Sequence, residues 1–421
     1  MYSESVYVYG QDGEVVTENI INQFALKQSD FKYLKQEKKE VFDFVGFIFK
    51  DGKLLTVFPK HFFDEEELEN LNKVNHKTTE IKLLFSTMLK YYFTQLKSGK
   101  AEKYIGKENI FISDYPFASF FNVYHYYKKY GLYNEIEIKY KPDSKGKVSW
   151  KKTIEKSNII VSNMNLIYYP LFSKHQTNRE VFITDCMEFV LCHTFELFSD
   201  FINIPKQRLK SKKFDFVANI DYVINKLYTL KSEIFKDIHK DLLNNLISFF
   251  EQYRSQCMGG KIHFKINYFN LVWENMIEEY LNLYFEKYDI NNNKIIFDKT
   301  RKKSNVHFKK VTFVVDDSIN KFSISLDHFA YHNKCLYIFD SKYYLNVKEL
   351  NYKQFSYNEI LRYYYEDCEE IYSVLILPAK RNNNIHFKLN EKFKGIRDKG
   401  ITISECFLNI KEVMQSYIQN K

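Results

Sequence analysis

A chain of 421 residues that is 45% hydrophobic and 27% charged has ample apolar content for real cores, and it shows no low-complexity tract long enough to be disordered. Its net charge of +9 suits a polyanionic partner without singling one out. Its six cysteines show no CxxC pair and no disulfide framework, no apolar stretch reaches membrane-span length, and the acidic, polar N-terminus does not read as a signal peptide, so a reduced, cytoplasmic protein with no membrane contact is expected. The 39 Phe and 34 Tyr accompany abundant Lys, Asn and Ile. These types share AT-rich codons, which explains their number more simply than base-stacking surfaces do.

Residues 1–140 read as a mixed segment. Apolar runs at 41–49 and 54–58 flank Lys50-Asp51-Gly52-Lys53, a hairpin signal. Residues 65–99 look helical, ending near Gly99. Residues 141–147 hold one Pro and one Gly and read as a linker. A largely helical stretch covers 180–256. Within it Ile220, Val223, Ile224, Leu227, Ile234, Ile238, Leu242, Leu246 and Phe250 fit one long helix or two, ended by Gly259-Gly260. Cys186, Cys192 and His193 lie close together there, on an apolar face that points to core packing rather than zinc.

Between 269 and 288, Leu271, Val272, Met276, Ile277, Tyr280, Leu281, Tyr284 and Phe285 recur at amphipathic helical spacing. Strands follow over 307–315 and 321–326, separated by the turn-forming Asp316-Asp317-Ser318. A third strand, 335–342, comes after a His332-Asn333-Lys334 turn. A helix over 352–370, a strand over 372–377 stopped by Pro378, then one further strand and a final helix complete the order.

The third strand ends in Asp340-Ser341-Lys342, thirteen residues after Asp327. Strand alternation puts Asp340 and Lys342 on one face and Ser341 on the other. Two carboxylates and an amine at one point suit metal-assisted attack of water on a phosphodiester. The triplet alone is weak. Asp51-Gly52-Lys53, Glu137-Ile138-Lys139 and Asp143-Ser144-Lys145 share its pattern, and an isolated strand-end Asp–Lys pair is most often a surface ion pair. Its surroundings set it apart.

In those surroundings the segment resembles the PD-(D/E)xK nuclease core, with Ser325-Leu326-Asp327 in place of the usual Pro-Asp. The Pro is absent, but Asp327 supplies the acid that carries the chemistry. Lys353-Gln354-Phe355-Ser356-Tyr357 resembles the Gln-and-Tyr helix motif of McrC-like and RecB-like nucleases. Asp340-Ser341-Lys342-Tyr343-Tyr344 followed by Lys353-Gln354 is similar to the LlaJI restriction endonuclease family. Phe44-Val45-Gly46-Phe47-Ile48, Phe58-Pro59-Lys60-His61, residues 146–154 and Val272-Trp273-Glu274 resemble other signatures of that family.

The resemblance implies an α/β fold, α+β overall. A C-terminal restriction-endonuclease-like core (261–421), a mixed sheet flanked by helices, would follow a mixed N-terminal domain (1–140, reading DNA or docking a partner) and a largely helical middle region (141–260). Asp327, Asp340 and the Ser341 carbonyl would hold Mg²⁺, with Glu274 as an extra ligand. Lys342 would position or deprotonate water, or stabilise developing charge. Gln354 would contact water or phosphate, with Tyr357 supporting it. Lys302, Lys303, Lys309, Lys310 and Lys353 would contact the DNA backbone, and the basic run 206–213 is a second candidate.

The chain has no GxxxxGK[ST] motif. The resemblance therefore implies a separate AAA+ GTPase, McrB-like, as partner. A double-strand cut needs two nuclease centres, which implies a homodimer or higher assembly. The expected function is cleavage of double-stranded DNA in a restriction system. The alternatives are a McrC-like subunit cutting modified DNA and a non-cleaving DNA-binding or assembly subunit.

Overall fold

A computed structural model describes residues 6–35, 37–74, 79–97, 111–143, 145–162, 165–198, 214–256, 261–300, 303–316, 322–344, 352–393 and 400–420. In chain order the first elements are β1 (Val6–Gln11), α1 (Glu18–Phe24), β2 (Phe31–Leu34), β3 (Lys39–Phe42), β4 (Val45–Lys50), β5 (Lys53–Phe58), α2 (Glu65–Val74), α3 (Glu80–Lys97) and β6 (Phe111–Ser113). Then come α4 (Phe117–Tyr130), β7 (Glu135–Pro142), β8 (Lys147–Val148), α5 (Trp150–Lys156), β9 (Asn158–Ser162), β10 (Asn165–Tyr169), β11 (Phe172–Arg179), α6 (Phe182–Phe198), α7 (Ile220–Lys231) and α8 (Asp237–Gln256). The last are β12 (Lys261–Ile266), α9 (Phe269–Tyr284), β13 (Phe285–Asp289), β14 (Lys294–Phe297), β15 (Lys309–Val314), β16 (Ser323–His332), β17 (Cys335–Ser341), α10 (Tyr352–Tyr364), β18 (Glu370–Pro378), β19 (Asn384–Lys388), β20 (Thr402–Leu408) and α11 (Ile410–Gln419). No described helix is long and apolar enough to cross a membrane.

Contacts group the chain into two units, residues 1–114 with 259–421, and residues 115–258. Among the described residues the first unit holds two large sheets and two two-stranded ones, β2-β3 and β13-β14. One of the large sheets runs β1-β5-β4-β12-β6. Its β4–β5 hairpin closes on Asp51-Gly52, both at positive φ (49° and 75°), as a two-residue turn between twisted strands requires. Gly46 on β4 has φ 138°, and a Cβ there would meet the Phe264 carbonyl oxygen at 2.3 Å. Only glycine lets β12 approach β4 so closely. Strand β12, at the start of the segment read as the nuclease core, thus pairs into the N-terminal sheet.

The second sheet runs β15-β16-β17-β18-β20-β19. β15, β16 and β17 are antiparallel; β17, β18 and β20 are parallel, with α10 as the crossover from β17 to β18. Residues of β17 alternate between faces. Leu336 and Ile338 pack with Tyr357 and Leu361 of α10. Tyr337 and Phe339 lie against Phe285, at ring distances of 5.2 and 5.9 Å. Helices α9 and α11 are joined to α3 through Lys90, whose Nζ donates to Glu279 and to the Tyr417 carbonyl, both at 2.7 Å.

Some expected bounds shift, for local reasons. The helix expected over 269–288 stops at Tyr284, because Phe285 turns in as a buried strand residue against Phe308 (4.9 Å). The helix expected to 370 stops at Tyr364, where Tyr365 drops onto Tyr331 (4.7 Å). The tail forms two strands before its helix.

The second unit combines α4, α6, α7 and α8 with two small sheets, β7-β11-β8 and β9-β10. The 141–147 stretch expected as a linker ends β7 and turns into β8, with Lys141 paired to Ser173. The helical pattern over 215–254 resolves into α7 and α8. Cys186 is fully buried, and His193 stacks on Phe189 (5.0 Å) and hydrogen-bonds Tyr253 Oη (2.9 Å).

Burial pushes the pKa of His193 down to about 4. The unfolded chain binds that proton near the ordinary 6.5, so this group stabilises the fold above pH 6.5 and loses that contribution as pH falls towards 4. Urea unfolding at pH 7 and pH 5 is expected to show an acid-induced loss about 2 kcal/mol smaller in His193→Phe than in the wild type. Equal losses in both would rule out a buried, neutral His193.

Candidate active site

Strands β16 and β17 bring the two acids together. His328 pairs with Phe339, so the next position out sets Asp327 beside Asp340. The Lys342 backbone N–H donates to the Ile376 carbonyl (2.9 Å), which extends the β17–β18 pairing past Ser341 and holds the end of the triplet rigid. Lys342 Nζ lies 2.5 Å from Asp340 Oδ2. Lys310, on β15, reaches in from the other side, 2.6 Å from Glu274 Oε1 and 3.7 Å from Asp327 Oδ1. Five charged side chains, three acids and two lysines, therefore meet at the edge where β16 and β17 diverge.

A register irregularity makes this possible. Lys309 pairs with Phe329, but Val311 pairs with Leu326. Lys310 alone thus faces the two residues Asp327 and His328. Such a bulge re-aims side chains out of simple alternation. His328 turns inward, fully buried, with Nε2 at 2.6 Å from Ser341 Oγ. Burial drives its pKa down to about 3, so it is a neutral strut that ties β16 to the triplet.

The electrostatics follow from crowding. Burial, then the hydrogen bond and charge of Asp340, raise the pKa of Asp327 to about 7, against the pull of Lys310 and Lys342. Burial opposes the charge on Lys342, but Asp340 and Asp327 outweigh it and its pKa is raised. Lys310 behaves alike: burial is outweighed by Glu274 and Asp327. Both ammonium groups stay charged at neutral pH.

The surrounding elements fix these groups. Trp273, fully buried, donates Nε1–H to the Ile376 carbonyl (3.4 Å), the same oxygen that accepts from Lys342 N–H. This sets α9, and Glu274 with it, over the end of β17. Gln354 is fully buried in the first turn of α10. One turn on, Tyr357 Oη donates to the Ser325 carbonyl (3.1 Å), pinning α10 two residues ahead of Asp327. Tyr343, next to Lys342, is held by the N-terminal segment. Its hydroxyl accepts from Lys60 N–H (2.8 Å) and bonds Asp12, while Lys60 Nζ lies 4.8 Å from its ring centroid.

Model of the LlaJI restriction endonuclease family matches residues 44–420. The chain belongs to the LlaJI restriction endonuclease family. The family's match takes in all of the N-terminal sheet but β1, the second unit and the carboxylate-bearing sheet. No curated protein matches the LlaJI-family chain. Among solved structures, a chain of the half-complex from the tetradecameric assembly of Thermococcus gammatolerans McrB AAA+ hexamers with bound McrC aligns over 99% of each chain, at 12% identity and a TM-score of 0.34. A likeness that low carries no argument about this chain.

The structure thus brings together Asp327, Asp340, Lys342, Glu274 and Lys310. Ser341 is adjacent, with its side chain turned to His328. Lys303, Lys309 and Lys353 are exposed. Lys302 and the run 206–213 lie outside the described residues. The sequence does not mark His328, although its place beside Asp327 is a signal. The sequence marks Lys310 for DNA contact alone, because nothing in a linear sequence shows a lysine that reaches both Glu274 and Asp327 across a bulge.

Proposed function

We propose that this restriction nuclease is a Mg²⁺-dependent endonuclease that hydrolyses phosphodiester bonds of double-stranded DNA at the Asp327–Asp340–Lys342 centre. The observation that carries the reading is the pair Asp327 and Asp340, crowded together in a partly buried site with Lys342 at 2.5 Å from Asp340. Two carboxylates forced so close leave a negative concentration that a hard divalent cation relieves, so the donor set fits Mg²⁺. Asp327, Asp340 and the Ser341 carbonyl would hold it; bound there, it would make water more acidic and offset charge on the phosphate. Lys342 keeps its proton at neutral pH, which favours donation to a phosphate oxygen over proton abstraction. Tyr357 ties the start of α10 to β16 through the Ser325 carbonyl, and Gln354, buried in the same turn, would contact water or phosphate. The exposed Lys303, Lys309 and Lys353 would track the DNA backbone.

We further propose an AAA+ GTPase, McrB-like, as partner, on the sequence resemblance to McrC-like nucleases. The test is cleavage of plasmid DNA with Mg²⁺, with EDTA, and with or without that GTPase and GTP. Mg²⁺-dependent cutting, abolished by EDTA, is expected. Cutting undiminished in EDTA would sink the metal reading. Cutting confined to methylated plasmid would favour the alternative of a nuclease for modified DNA.

A further inference from the structure

A second cation position lies at the same centre, and a side chain fills it. Lys310 Nζ sits 2.6 Å from Glu274 Oε1 and 3.7 Å from Asp327 Oδ1. Glu274 and Asp327 are each only 19% exposed at the side chain, whereas Lys310 is 50% exposed, its stem reaching in from the surface. Among the described residues no group of three or more His, Cys, Asp or Glu side chains is arranged to hold a metal ion. Glu274 meets the Asp327–Asp340 pair through Lys310, whose ammonium contacts both Glu274 and Asp327. An ammonium there contributes one fixed positive charge where a second divalent ion would otherwise bridge two carboxylates, as in two-metal sites.

We infer that Lys310 is a built-in cation that takes the place of a second metal ion, with Glu274 positioning Lys310 rather than ligating metal. This inference rests on the proposal that Asp327 and Asp340 hold the first ion. It assigns Glu274 a role different from the extra ligand expected of it. The strand bulge supplies the geometry: with Asp327 and His328 together opposite Lys310, the lysine reaches over towards α9.

The test counts Mn²⁺ ions bound per full-length chain, from the loss of the free-ion electron paramagnetic resonance signal, without DNA. Wild type is expected to take up one ion, and Asp340→Ala none. Lys310→Met removes the charge, keeps most of the stem and is expected to double the bound Mn²⁺ to two. Lys310→Met with Glu274→Gln is expected to return to one, and Lys310→Arg to stay at one. Thermal unfolding of Lys310→Met checks that the chain remains folded, as the exposed site favours. Two ions in wild type, or one in a folded Lys310→Met, overturns the Lys310 assignment and leaves the carboxylate pair standing. No Asp340-dependent ion in wild type overturns the carboxylate pair and this inference with it.

Discussion

Asp340→Asn is expected to abolish DNA cleavage, lowering the rate by at least about 10³-fold, equivalent to about 4 kcal/mol of transition-state stabilisation. The substitution keeps the shape of the side chain and removes its charge. Two functions depend on that charge. It forms half of the carboxylate pair with Asp327. It sits 2.5 Å from Lys342 and helps hold that ammonium charged and in place. Asp340 also lies at the end of a parallel strand pair that fixes its direction. The fold should not suffer, because Asp340 crowds Asp327 and raises its pKa to about 7, and the amide relieves that repulsion. The measurement is the single-turnover cleavage rate on plasmid DNA, paired with a thermal unfolding curve. A folded Asp340→Asn chain that still cuts at a tenth of the wild-type rate or more would place the chemistry elsewhere.

Trp273→Ala is expected to destabilise the first unit by about 4 kcal/mol, the cost of removing a fully buried large aromatic. The loss is partly the cavity. It is also the anchoring of α9, since Nε1–H donates to the Ile376 carbonyl at 3.4 Å. Trp273→Phe keeps most of the volume and is expected to cost about 1–2 kcal/mol. The Ile376 carbonyl would still accept from Lys342 N–H, so the triplet itself stays tied. Urea unfolding of the three chains checks the order. A loss below about 1 kcal/mol for Trp273→Ala would mean that the helix is held by other contacts.

The readable parts of the site are local. Cys335 to Phe339 is a short apolar run that ends in Asp340-Ser341-Lys342, and its alternation alone puts Asp340 and Lys342 on one side, as found. The amphipathic spacing around Trp273 marks α9, and Asp51-Gly52 marks the β4–β5 hairpin. The less readable parts depend on pairing. Phe322, Ile324 and Leu326 suggest an unbroken alternation through Asp327, and nothing in that stretch announces the bulge opposite Lys310. Phe58-Pro59-Lys60-His61 resembles a family signature whose purpose the sequence does not show. Its Lys60 N–H holds the hydroxyl of Tyr343, nearly three hundred residues on, beside the triplet.

By itself the sequence determined the β4–β5 hairpin, α9, and the order β15, β16, β17, α10, β18 that carries Asp327, Asp340 and Lys342, because hydrophobic periodicity and turn chemistry act over a few residues. Only the tertiary structure decided that β12 completes the N-terminal sheet, that His328 braces Ser341, and that Lys310 stands between Glu274 and Asp327. Each of those depends on strand register and helix packing between distant segments. A shift of one residue in register would send the same side chains to the opposite face.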